Sequence, residues 1–254
     1  MKIGGIVAGA LVLGSGFGAA VSLLNAVSSS YAAIGSRIAG TGWAAAAEVA
    51  SLLLDSGWAW AGLAVAAGWS ATARTAGVRA AARGTATART AGGPAATHGT
   101  DTAGDPAATR GTDTASGPAA TRGAGTAGGR AMARGAVAGV LTLIAATAAY
   151  YCLDSVLRDE PLSWYWPETV RWWVASVLFG TPLGAVGASI RRPGLAGLLA
   201  KLTVPVGAAV QMVVLPPRES DLIATPLVVW AAAAMAIGFS VVWFVRTAAR
   251  RPTP

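Results

Sequence analysis

Runs of about twenty residues with almost no charge recur along this chain, and they limit its folding more than any other feature. A helix needs about 20 consecutive apolar residues to cross the hydrocarbon core of a bilayer. Backbone inside that core must satisfy its own hydrogen bonds, so an apolar run of this length implies a helix. Six runs qualify: residues 3–24, 45–69, 135–153, 172–190, 194–215 and 226–245. Composition agrees. The AVILMFWYC set makes up 54% of the chain and charged residues 12%, against about 25% charged in a soluble domain. The expected fold class is all-α: a polytopic transmembrane helix bundle of six spans.

The segments between the runs orient the bundle. With the amino terminus inside, every basic residue except Arg37, Arg158, Arg171 and Arg218 falls on the cytoplasmic side, as the positive-inside bias requires. Both termini are then cytoplasmic, and the expected location is a plasma membrane. Residues 70–134 form a long cytoplasmic loop of Ala, Thr, Gly, Arg and Pro, followed later in the chain by a tail at 247–254. The loop lacks the large apolar side chains needed for a core and is expected to be disordered. It carries a 12-residue repeat with copies starting at Thr90, Thr102, Thr114 and Thr126. No apolar position recurs for stacking, so tandem expansion of a basic loop explains it better than a solenoid does. The net charge of +8 lies between apolar runs, without interleaved aromatics, and is read as a topology signal rather than a nucleic-acid footprint. The first run is longer than the apolar region of a signal peptide and is taken as a span.

The candidate site lies in the second run, which holds Glu48 and Asp55. Glu48, Ser51 and Asp55 sit at i, i+3 and i+7 of one helix and share a face. A carboxylate facing lipid costs about 2.5–3.5 kcal/mol, so this face should point at other helices or at water. Glu48 falls near the outer boundary. Asp55 falls about 10 Å further along, with Gln211 of the fifth run at similar depth. This intramembrane polar site, Asp55, Glu48, Ser51 and Gln211, suits a cation or proton, or serves as a buried hydrogen-bond clasp. The triplet Asp55-Ser56-Gly57 resembles the active-site triplet of aspartic proteases. That chemistry needs a second carboxylate close enough to share a proton, and Asp154 is its one conceivable mate. The competing reading of Ser56-Gly57 is a local helix break.

Other residues carry less. His98, alone of its kind, lies in the loop where other copies hold arginine, which excludes a histidine-based triad or metal cage. Cys152 is also single, which excludes an internal disulfide. No metal and no cofactor are expected. The pairs Gly5/Gly9 and Gly14/Gly18 put small residues at i, i+4 in the first run, where a partner helix or a second copy could approach closely. The lipid bilayer is the one partner implied throughout.

The stretches SRIAGTGWAAAAEVASLLLDSGWAWAGLAV, YYCLDSVLRDEP and GAVGASIRRPGLAGLLAKLTVPVGAAVQMVVLPP resemble a family of uncharacterised multi-pass membrane proteins of high-GC bacteria. The resemblance covers both membrane blocks but not the repeat. It implies the same bundle and brings no activity and no functional residues. The expected function is therefore a non-enzymatic structural or accessory membrane protein. The alternative is a small-solute or ion/proton-coupled transporter using Asp55, and the distant alternative is an intramembrane aspartyl protease.

Overall fold

The computed structural model describes residues 3–29, 41–55, 57–73, 119–214 and 224–249. Residues 30–40 of the outer loop expected at 25–42, His98 and the first repeat copies, Ser56, Pro216-Pro217 and the tail from 250 lie outside the described residues. The described residues form seven helices in chain order: α1 Ile3–Ser28, α2 Gly42–Asp55, α3 Gly57–Ala73, α4 Ala119–Arg158, α5 Trp166–Ser189, α6 Leu195–Val214 and α7 Ala224–Ala249. A 3₁₀ turn, Leu162–Tyr165, leads into α5. Among the described residues there is no strand.

Three departures from the sequence expectation have a local reason. α4 does not begin at Gly135 but at Ala119, so residues 119–134, expected to be disordered, are helical. The last repeat copy has Arg130 where earlier copies have Pro94, Pro106 and Pro118. Without a proline, a helix nucleated in the apolar run propagates backwards through alanine-rich sequence. Its first described residue, Ala119, directly follows Pro118 in the sequence. At its other end α4 continues past 153 to Arg158. Arg158 pairs with Asp154 at 2.9 Å, an i, i+4 bridge that supports the extra turn. The helix then closes with Asp159 at φ 56°. The Asp159 amide donates to the Val156 carbonyl at 3.4 Å and the Glu160 amide to that of Ser155 at 3.0 Å, the two bonds of a Schellman cap.

The third departure concerns the second run. Residues 45–69 are not one span-long helix. Ala46–Asp55 and Gly57–Ala73 meet at a bend of 64°, so α2 leaves the axis of α3.

The helices alternate in direction. α4 runs antiparallel to α5, with Gly135 and Gly139 against Gly184 and Gly180. α1 and α4 run parallel, with Gly14 against the Thr142 carbonyl and Gly18 against that of Ala146. α3 crosses α5 where Gly68 meets the Gly184 carbonyl and Gly187 meets that of Val65. At each of these places a Cβ would overlap backbone of the neighbouring helix, so only glycine permits the approach. Small residues that let backbones meet are a main source of helix association in lipid, where apolar surface gains nothing by leaving the solvent. The remaining core fills in around these crossings. Leu63, Ala64, Leu143 and Ala146 form one cluster, packed by Phe17, Trp60 and Leu183. Ile6, Ala67, Ala71 and Ala138 form another. α6 and α7 are antiparallel and join through Ala208, Met212 and Val229, with Leu53 and Trp58 against them.

Candidate functional site

Folding separates the described charges between the two ends of the bundle. One end gathers the start of α4, the α5–α6 turn and the end of α7. Arg192 donates to the Gly128 carbonyl at 3.3 Å, and α7 lies against the turn through Trp243 and Thr247. This end carries Arg130, Arg134, Arg191, Arg192, Lys201 and Arg246. The opposite end carries Glu48, Asp55, Asp154, Asp159, Glu160 and Glu168, with Arg158 and Arg171 as the described cations. Both of those arginines are engaged locally, Arg171 with Glu168 at 2.6 Å and Arg158 with Asp154.

The acidic end holds a polar and aromatic cluster tying three helices together. Asn25 of α1 donates through Nδ2 to the Tyr150 hydroxyl of α4 at 3.1 Å. Its Oδ1 accepts from Ser51 of α2. Rings continue the link: Phe17 to Trp60 at 5.4 Å, Trp60 to Tyr150 at 6.5 Å, Tyr150 to Tyr151 at 5.1 Å and Tyr151 to Tyr165 at 5.5 Å. The Tyr165 hydroxyl donates to Glu160. Burial and that bond push the Tyr165 phenol up from its ordinary range, since ionising it beside a carboxylate is unfavourable.

The four sequence candidates divide between two places. Ser51 joins the Asn25–Tyr150 cluster. Gln211 of α6 reaches the α2–α3 bend, where its side-chain Oε1 lies 3.5 Å and its Nε2 3.8 Å from where a Cβ on Gly57 would be. It therefore stands beside the backbone two residues from Asp55. Glu48 and Asp55 are both exposed on α2. The 64° bend turns α2 off the α3 axis, while Ser51, between them on the same face, still reaches Asn25 of α1. The intended depth difference shrinks with it. About 10 Å along the helix becomes about 5 Å along the α3 axis. Asp154 is buried, at 3% exposure, and its carboxylate is held by Arg158.

Asn25 is the member that sequence reasoning missed, because it was placed in the outer loop. α1 continues to Ser28, and the Ser28 hydroxyl bonds back to the Asn25 carbonyl at 3.2 Å. A lone asparagine directly after the apolar run at 3–24 was the available signal. The small-residue pairs Gly135/Gly139 and Gly180/Gly184 were equally legible as i, i+4 motifs. Gly14 and Gly18 face α4 of the same chain, and Gly5 and Gly9 line a small gap against α3.

Comparison with protein-family models, with curated proteins and with solved structures finds no match. The class therefore rests on the structure. Among the described residues four helices are long and apolar enough to cross a membrane, Ile3–Ser28, Gly128–Arg158, Leu195–Val214 and Pro226–Ala249, and the bent pair α2–α3 makes up to five. The fold is that of an all-helical chain compatible with a multi-pass membrane protein. The fourth expected run, 172–190, falls on α5, which is not among these helices. α5 is long enough, but tryptophan, glycine, Thr181 and Pro182 dilute its apolar content.

Proposed function

We propose that the chain is a six-span, non-enzymatic protein of a bacterial plasma membrane, with both termini cytoplasmic and a structural or accessory role. α5 is the sixth crossing in this reading. Its glycines hold it against α3 and α4 along their length, and its tryptophans belong at a membrane interface. α3 is about 25 Å long and does most of the second crossing, while α2 lies obliquely at the outer surface with Glu48 and Asp55 in contact with headgroups or water. The charge separation of the two ends supports this orientation.

The functional reading is carried by backbone-to-backbone closure of the α1, α3, α4 and α5 contacts. A bundle closed by glycine against carbonyl is a rigid unit. The void between α1, α3 and α4 measures about 20 Å³, room for about one water. The test is ion or proton flux in proteoliposomes, wild type against Asp55→Asn. The expected result is no pH-dependent flux in either, and at most a change in thermal stability. A flux in wild type that Asp55→Asn abolishes would refute it.

Such a flux would establish the second reading, a cation- or proton-coupled carrier. One observation favours that reading: a helix interrupted beside Asp55, with the Gln211 amide at the break, is the kind of discontinuity that coordinates ions in transporters. Orientation is tested separately by cysteine labelling in a Cys152→Ala background. A cysteine at Ser29 should react in intact cells, and one at Ala248 only after permeabilisation.

A further inference from the structure

The basic end contains a second feature, unrelated to the Asp55 face. A cavity of about 430 Å³ opens between the end of α3, the α5–α6 turn, the start of α6 and the end of α7. That volume is within the range of small-molecule sites, about 300–1,000 Å³. Three cations line it, Arg191, Arg192 and Lys201. Arg191 is already positioned, its guanidinium 5.4 Å from the centroid of the Trp69 ring. Arg192 is positioned by its bond to the Gly128 carbonyl. Among the described residues no carboxylate stands at this end. The opposite wall is apolar and aromatic, built from Trp243 and Phe244.

Charge on one side and hydrocarbon-compatible surface on the other define an amphiphilic anion. We propose that this cavity binds an anionic phospholipid of the inner leaflet, its phosphate among Arg191, Arg192 and Lys201 and the start of an acyl chain along Trp243 and Phe244. Basic pockets between membrane helices on the cytoplasmic side are suited to acidic headgroups. Arginine's planar fork makes paired hydrogen bonds to phosphate oxygens, while the lysine adds a mobile point charge. The cavity opens at the end of the bundle where the helices reach headgroup depth, a placement that rests on the six-span reading. The binding chemistry itself does not depend on it.

The test is native mass spectrometry of the full chain in detergent, titrated with phosphatidylglycerol, with phosphatidylcholine, or with inorganic phosphate. Wild type should retain one phosphatidylglycerol in preference to phosphatidylcholine. Lys201→Gln should weaken that binding by about fivefold, the worth of one basic residue at an anionic lipid surface. The double variant Arg191→Gln/Arg192→Gln should abolish the preference. The control Arg130→Gln/Arg246→Gln, basic residues of the same end that do not line the cavity, should leave it unchanged. Should the arginine pair be needed for insertion, Lys201→Gln with rescue by Lys201→Arg decides alone. Equal loss in the control would reduce the effect to general surface charge and overturn the site. Saturation by inorganic phosphate, with no preference between the two lipids, would assign the cavity to a free phosphate and overturn the lipid. Failure of the topology labelling with lipid preference intact would overturn the orientation and leave the site standing.

Discussion

The helices α1, α3, α4 and α5 and the pair α6–α7 are built from similar residues but held by different means. In the first group 39% of the apolar window of α4 and 33% of that of α1 are buried, against 22% in α6 and 11% in α7. Glycine accounts for the difference. At every close crossing of the first group a glycine meets a carbonyl of its neighbour, whereas Gly207 and Gly238 of the second face open space. The pair is joined by larger side chains, Met212 and Val229, and by one bond from Trp230 Nε1 to the Ala209 carbonyl at 3.3 Å. Its Leu227, Phe239 and Trp243 point outward, where lipid can cover them. In a bilayer, burying such side chains against protein instead of lipid gains little, so tight association follows the small residues.

The comparison makes ordered predictions for unfolding measured in detergent or bicelles. Gly184→Ala should cost the most. Its Cβ would overlap the Gly135 carbonyl, and overpacking of about 1–3 kcal/mol outweighs the gain of about 1 kcal/mol in helix propensity. Gly238→Ala should be neutral or stabilising by up to about 1 kcal/mol. The same contrast should appear within α1, where Gly18→Ala loses stability and Gly16→Ala, with open space around it, does not. If Gly238→Ala proved as costly as Gly184→Ala, the division between the two groups would be false.

Smaller effects test the polar links. Tyr150→Phe removes the acceptor for Asn25 and should cost about 0.6 kcal/mol, up to about 1.7. Trp230→Phe breaks the bond between α6 and α7 at an exposed position and should cost less, within about 0.5 kcal/mol. A larger loss at Trp230 than at Tyr150 would mean that α6–α7 depends on directed bonds more than its packing indicates. Excision of residues 75–117, all outside the described helices, should leave the melting temperature unchanged. A fall would show that the repeat contributes to the bundle.

Much of the bundle could be read from one dimension. The apolar runs at 3–24, 194–215 and 226–245 coincide with helices, because run length and charge are local properties that a bilayer-crossing helix must satisfy. The ends were harder to place. The reach of α4 back to Ala119 depended on one substitution, Arg130 for proline in the last repeat copy. Its reach forward depended on the Asp154–Arg158 pair and on Asp159 adopting a left-handed backbone. The candidate site was half legible. Gln211 does approach the segment that carries Asp55, as equal depth implied. The exposure of Asp55 was hidden, since the helical period that placed Glu48, Ser51 and Asp55 on one face holds whether the helix is straight or bends between Asp55 and Gly57.

The chain's own order of residues was enough to determine a helical membrane-type protein, the positions of its apolar helices and the separation of basic from acidic ends. Each follows from hydropathy and charge along the chain, which act before any helix meets another. Only the tertiary structure decided which helices touch, that Gly14 and Gly18 meet α4 of their own chain, that Asn25 joins Ser51 and Tyr150, and that Arg191, Arg192 and Lys201 face one cavity. Those outcomes depend on side chains from distant segments meeting in a particular crossing. In lipid, contact at close range sets that crossing, and no periodic signal along the sequence records it.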